Sequence, residues 1–459
     1  MTHSDRRGFL KTSMAALAAS AAPFDALRER AGLRAEEARS TGYGPLRPVL
    51  DEATGLPLLQ LPEGFRYVSF GWTGDPMANG APTPAYHDGM AVVAQKDHVV
   101  TLIRNHEIFQ PGASIAPSGS TYDPRAGAGC TRLRFDVAEG KFLSAEPAIG
   151  GTHRNCAGGP TPWGTWLTCE ETVDDAHGTF DGKPLPFERD HGFIFEVPAE
   201  GEASPVPLEA MGRFTHEAVA VDPETSIVYE TEDNATAGFY RFIPRVAGQL
   251  AQGGKLQMMK VEGYVDTRSK FPINRSVAVS WVDIDDPLRS QTPGVKDNGG
   301  VFSQGSKKGA STFARLEGCW YGHGKVFFVS TSGGAAGHGQ IFEYDVAQDR
   351  VRLLFESPGP EILDYPDNIA VSPRGGLVLC EDGDRRVERL CALSVAGQLS
   401  PFAMNNVKLN GERNGFRGDF SRQEWCGATF SADGRWLFAN IQTPGLTVAI
   451  TGPWDAGPL

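Results

Sequence analysis

Apolar positions along the chain fall into short runs, each closed by a turn and answered by a second apolar run, and this phrase recurs six times. A polar or small residue opens the first run, and a carboxylate or amide usually closes the second. The instances are Asp88–Val93 to Asn105-His106-Glu107, Cys156–Gly159 to Cys169-Glu170-Glu171, and Glu217–Val221 to Glu230–Asp233. They continue with Glu317–Trp320 to Ser330–Ser332, Asn368–Val371 to Cys380–Asp382, and Cys426–Phe430 to Ala439-Asn440. The turns Asp222–Thr225, Ser372–Gly376 and Ser431–Gly434 carry the Pro, Asp and Gly that hairpins favour. Short paired strands repeating about every 50 to 65 residues predict the blades of a β-propeller. The expected fold is therefore all-β, a six-bladed β-propeller with loop insertions, in one domain over residues 41–459. One longer interval between phrases contains residues 245–310, which read as an insertion. Two packed sandwich domains would also yield short strands, but without a recurring phrase.

Composition sharpens this. Gly and Pro, 55 and 32 of 459 residues, suit many turns better than long helices. No run reaches the roughly 18 to 20 apolar residues of a membrane-spanning helix, so no membrane span is expected. A net charge of −13 disfavours nucleic acid, and it repels anionic substrates unless bound cations reverse the local field. Residues 1–40 read as a twin-arginine export signal and linker: Arg6-Arg7-Gly8-Phe9-Leu10-Lys11 is followed by an Ala-rich, mildly apolar run. The protein is expected to meet the twin-arginine translocase and to end in the periplasm or outside the cell, as a monomer. Seven cysteines without any CxxC spacing argue against a zinc knuckle.

A hairpin returns to where it began, so the residue opening its first strand and the residue closing its second share one end. In a propeller those ends converge around the axis. That rim is expected to hold Asp88, Asn105, His106, Glu107, Cys156, Glu170, Glu171, Glu217, Glu232, Asp233, Glu317, Asp367, Asn368, Glu381 and Asp382, with Arg315 beside them. So many carboxylates cannot all stay ionised and unpaired, and bound cations are the simplest resolution. Hard oxygen donors suit calcium, and a thiolate or imidazole among them admits a transition metal such as iron. Cys169, Cys319, Cys380, Cys391 and Cys426 read as structural. GxGxxG, GxxxxGK[ST] and GxSxG motifs are absent, and His216-Glu217-Ala218-Val219-Ala220 lacks the second histidine of HExxH.

In these motifs the chain resembles the PhoX family of calcium- and iron-dependent alkaline phosphatases, which are exported by the twin-arginine route. The resemblance rests on the export motif, Asn105-His106-Glu107, Asn155–Gly159, Thr168–Glu171, His216–Val219, Glu230–Asp233, Arg315–Gly318, Pro366–Asn368 and Cys380–Gly383, in that order. It implies a six-bladed propeller in which Cys156, Glu217 and Glu317 contribute to an iron and calcium cluster. Glu170, Glu171, Glu381 and Asp382 are then further calcium-ligand candidates, Arg315 contacts the phosphate of a small phosphorylated substrate, and Glu317 acts beside it. Two other readings of the residues stay open: a calcium-dependent lactonase or esterase, and a non-catalytic calcium-bound propeller that binds partners through its loops.

Overall fold

The structure, a computed structural model, describes residues 42–180, 182–383 and 386–459. The export signal read in residues 1–40 lies outside the described residues. The protein is all-β and propeller-like; Gly300–Lys307 is the single α-helix among the described residues.

Each recurring phrase forms an antiparallel hairpin that opens a small sheet. The first sheet runs His87–Lys96, Val99–His106, Ala128–Asp136 and Lys141–Thr152. The second runs Asn155–Pro160, Thr165–Glu170 and Ile194–Pro198. The third is His216–Val221, Val228–Glu232, Phe239–Pro244 and Gly254–Val261, and the fourth Leu316–Gly322, Lys325–Ser330, Gln340–Asp345 and Arg350–Glu356. Ser276–Asp283 pairs with the outer strands of both, so these two sheets are continuous. Residues 245–310 therefore supply an outer strand and a bridging strand as well as the helix, which packs on Gly254–Val261. The fifth sheet, Pro366–Val371, Leu377–Glu381, Arg389–Leu393 and Leu399–Asn405, is extended by Leu59–Leu61 and Arg47–Val49. In the sixth, Trp425–Phe430, Leu437–Ile441 and Leu446–Thr451 are completed by Arg66–Phe70 from the other end of the chain.

The first strands touch one another in chain order and the last returns to the first. His87–Lys96 packs on Asn155–Pro160, which packs on His216–Val221, then Leu316–Gly322, Pro366–Val371 and Trp425–Phe430, which closes on His87–Lys96. Apolar clusters fill the wedges between neighbouring sheets. Between the third and fourth, Phe239 stacks on Phe328 at 4.2 Å between ring centroids, and Phe328 on Phe342 at 5.2 Å. Because both faces of an inner strand are covered, strands such as Val228–Glu232 and Leu437–Ile441 are buried throughout, and their sequences read as continuous rather than alternating runs.

Two features repeat in every inner hairpin. The first is a register shift near the start of the first strand, which leaves two residues outside the ladder: residues 88–89, 156–157, 217–218, 317–318 and 367–368. In the sixth hairpin the shift moves one residue along, to 427–428, because Cys426 pairs with Asn440. The second is a hydrogen bond that closes the hairpin mouth. The amides of Glu107, Glu171, Asp233, Thr331, Asp382 and Gln442 donate to the carbonyls of Tyr86, Arg154, Thr215, Arg315, Tyr365 and Glu424, at 2.8–3.1 Å. These two rows of residues are thus equivalent around the ring.

Inner strands approach so closely that side chains are excluded at several contacts. A Cβ on Gly159 would lie 1.9 Å from the Val219 carbonyl oxygen of the neighbouring first strand. Gly159→Ala is expected to force adjacent sheets apart and lower stability by about 1–3 kcal/mol. Gly112→Ala, whose nearest neighbour would be 3.8 Å away, should stay within about 0.5 kcal/mol of the parent. Thermal melts of the two variants check this.

Candidate metal and phosphate site at the ring axis

The repeated bulge decides what faces the axis. A β-bulge re-aims the side chain of the extra residue, and here the released residues are Asp88, Cys156, Glu217, Glu317 and Asp367. From the closing end of each hairpin come Glu107, Glu171, Asp233 and Asp382, and the sixth hairpin adds Glu424 and Cys426. Among the described residues these side chains, Asp233 excepted, make four groups: Glu107 with Cys156 and Glu171, Glu217 with Glu317 and Asp367, Asp367 with Asp382 and Glu424, and Asp88 with Glu424 and Cys426. Within each group the donor atoms lie within 4.8 Å of one another. Shared members join the last three groups. The Cys156 thiol, donating to Glu217 Oε1 at 3.2 Å, links the first to them.

The groups are buried as well as crowded. Burial pushes the carboxyls of Asp88, Glu107, Glu217, Glu317, Asp367 and Glu424 well above the ordinary range, and repulsion from their neighbours adds to it. Burial raises Glu171 to about 7, against the pull of the Arg154 guanidinium. The Cys156 thiol is raised by burial and then by the charges of Asp88 and Glu217. Asp88 Oδ2 and Asp367 Oδ1 are buried without a hydrogen-bond partner. Acids so arranged ionise together only if cations share them, so the donor set fits bound metal ions.

Arg315 stands at the edge of this cluster. Its Nε donates to Asp233 Oδ1 at 3.1 Å, and its Nη2 pairs with Glu317. Burial works against its charge, but Glu317 and Asp233 outweigh burial and hold the guanidinium protonated. The side chain remains 36% exposed, so it is reachable from solvent.

The structure brings Cys156, Glu171, Glu217, Glu317 and Asp382 together with Arg315. It places Glu170 and Glu381 on the other side of their strands, because successive side chains of a strand point to opposite faces. Glu170 accepts from the His153, Gly192 and Phe193 amides at 2.8, 2.7 and 3.1 Å and from His191 Nδ1 at 2.7 Å. Glu381 accepts from the Asp364 amide at 2.9 Å and from Arg389 Nε at 2.7 Å. Glu232, at the same place in the third sheet, takes the Tyr240 hydroxyl at 2.7 Å and the Gly238 amide at 2.8 Å. His106 is likewise turned away, to the Ala85 carbonyl and Thr131. Sequence reasoning missed Glu424, and it missed that Cys426 neighbours the acids. Glu424 precedes the strand where the sixth phrase begins. The only signal for it is the ladder, which makes it the equivalent of Arg154 and Arg315.

With this geometry in view, comparison with known proteins is decisive at the level of family. The family model "Alkaline phosphatase PhoX" matches residues 41–147 and 138–445. The chain belongs to the PhoX family of alkaline phosphatases. Hydrolysis of phosphoric monoesters is therefore its activity class. Among solved structures, PhoX of Pseudomonas fluorescens, in complex with vanadate as a transition state analogue, superposes with a TM-score of 0.64 at 17% identity. That match covers 91% of this chain and 99% of the other, and it supports the fold. A gluconolactonase from Xanthomonas campestris gives a TM-score of 0.42 at 13% identity, covering 89% and 98% of the two chains. A luciferin-regenerating enzyme gives 0.39 at 12%, covering 80% and 92%. No curated protein matches the chain.

The outward-facing acids generate a pH prediction. Burial opposes a charge on His191, but Glu170 and Asp123 outweigh it and lift the imidazole to about 9 from its usual 6.5. A raised folded-state value means that this contribution to stability is complete below about pH 6.5 and is lost as pH rises through about 9. The difference in melting temperature between the parent and His191→Gln should be largest below pH 6.5 and shrink above pH 9. A difference independent of pH would show that His191 acts through packing alone.

Proposed function

We propose that this member of the PhoX family is a six-bladed propeller of one domain over residues 41–459 whose axial cluster binds calcium and iron to hydrolyse phosphomonoesters. Cys156, Glu217 and Glu317 would hold iron together with calcium, since they combine a thiolate with hard carboxylates. Glu171 and Asp382, joined by Asp88, Glu107, Asp367 and Glu424, would complete the calcium sites. Glu170 and Glu381 are assigned to holding loops. When bound, such ions supply Lewis acidity and an activated water, and they offset the negative charge that would otherwise repel phosphate.

The chain's own residues then have defined tasks. Arg315 presents a planar fork of N–H donors that matches phosphate oxygens better than a lysine point charge would. Asp233 and Glu317 hold that fork at the edge of the cluster, so phosphate enters a prepared orientation. Glu317, adjoining both Arg315 and the other acids, fixes the arginine relative to the metal ligands. The substrate is a small phosphorylated molecule, and the arginine-tipped residues 1–40 support export through the twin-arginine translocase to the periplasm or beyond. The observation that carries the reading is the set of buried, mutually crowded acids with an arginine at its edge, in a chain of this family.

The test is hydrolysis of p-nitrophenyl phosphate at alkaline pH, with calcium and again after chelation, using protein exported through its own signal. Turnover should require calcium; turnover unaffected by exhaustive chelation and metal analysis would refute the cluster. Glu217→Gln or Glu317→Gln should lower metal content and turnover together, the latter on the order of 100-fold or more. Glu170→Gln should instead keep its metal and lose about 3 kcal/mol of stability, because it breaks a buried ion pair.

A further inference from the structure

A second arginine occupies the same place in the ring as Arg315. Six equivalent residues precede the first strands: Tyr86, Arg154, Thr215, Arg315, Tyr365 and Glu424, defined by the carbonyl each offers to the closing amide of its hairpin. Arg154 and Arg315 are the two cations among them. Both adopt left-handed backbone, φ 51° and 42°, as Tyr86 and Tyr365 do at the same place, φ 51° and 46°, so the conformation belongs to the hairpin mouth itself.

Acidic side chains lie between the two guanidinium groups. Arg154 Nη2 lies 3.2 Å from Glu171 Oε2, Glu171 and Asp233 are near enough for their charges to repel, and Asp233 Oδ1 lies 3.1 Å from Arg315 Nε. The row crosses the second, third and fourth sheets along the edge of the acid cluster. Arg154 is braced from behind by the Phe109 ring, 4.9 Å from its guanidinium carbon. Its Nε is buried without a hydrogen-bond partner. Its side chain is 32% exposed, close to the 36% of Arg315, so each is reachable from solvent.

A brace, an unused donor and an open face are what a residue poised for an anion requires. We propose that Arg154 is a second phosphate-binding residue of this site, gripping the phosphoryl oxygens alongside Arg315 and favouring dianionic monoesters over monoanionic diesters. The inference rests on the phosphatase reading above. Two guanidinium forks favour a ligand with enough anionic oxygens to share between them, and a monoester offers three terminal oxygens with two negative charges where a diester offers two with one. The competing role is purely positional: Arg154 would orient Glu171 toward a metal ion and never meet substrate.

The experiment uses the parent, Arg154→Gln and Arg154→Lys, each metal-loaded, with metal content measured alongside kinetics. The probes are p-nitrophenyl phosphate, bis(p-nitrophenyl) phosphate, and inorganic phosphate as a competitive inhibitor. In Arg154→Gln, metal content should be retained while phosphate inhibition weakens roughly 10- to 100-fold, the span of a charged hydrogen bond. The monoester should lose kcat/KM by a larger factor than the diester, and Arg154→Lys should recover only part of either loss. Phosphate inhibition within twofold of the parent would overturn the proposal. So would a loss of metal in Arg154→Gln that Arg154→Lys restores together with full phosphate affinity, since charge near Glu171 would then suffice. A parent protein that neither turns over the monoester nor binds phosphate would instead refute the phosphatase reading itself.

Discussion

The centre of this protein is organised by one backbone irregularity used again and again. Each inner hairpin gains an extra residue near its mouth, and the pleat cannot absorb it without turning a side chain out of the ladder. Where first strands pack edge to edge in a closed ring, that side chain has only the axis to face. Five bulges deliver Asp88, Cys156, Glu217, Glu317 and Asp367 to one small volume, the closing ends of these hairpins add Glu107, Glu171 and Asp382, and the opening of the sixth hairpin adds Glu424 and Cys426. The ring, the glycines that let strands approach, and the burial of the acids all follow from packing these mouths together.

The acids that do not face the axis matter to it indirectly. Glu170, Glu232 and Glu381 occupy one equivalent place, and each secures the chain just beyond its hairpin through backbone amides or an ionic partner. Adjacent carboxylates at the end of one strand thus take two places, one facing the axis and one anchoring the chain behind it. His191, buried between Glu170 and Asp123, ties the loop after the second hairpin to the first sheet. The precision a multi-ligand site needs comes from this outer layer, because a side chain locked by its neighbours holds its rotamer while a free one does not.

Charge follows the same logic. A chain with net charge −13 would repel a phosphate ester if its acids stood alone. Concentrating them at the axis creates a demand for cations, and cations convert the most acidic region into the one that attracts substrate. The arginines stand at the edge of that region, held by Glu171, Asp233 and Glu317, so under the proposed function their forks would be oriented before phosphate arrives. Orientation settled in advance is what lets such contacts act on the reaction without reorganising during it.

The sequence by itself determined the repeat, the all-β class and the convergence of hairpin ends, because hairpin turns and apolar runs are local signals. It also put forward Cys156, Glu170, Glu171, Glu217, Glu317, Glu381 and Asp382 at recurring places in the phrase, with Arg315 beside them. Which of two neighbouring carboxylates faces the axis was a matter for the tertiary structure. Glu170 and Glu171 differ by one step along the chain, and one step reverses the side chain, so ladder register alone separates the axial acid from the anchor. Glu424 was hidden for a related reason: the sixth hairpin shifts its bulge by a residue, and the acid that fills the gap lies before the strand. Local pattern records that a hairpin exists, whereas the direction of each side chain is set by pairing partners far away in the chain.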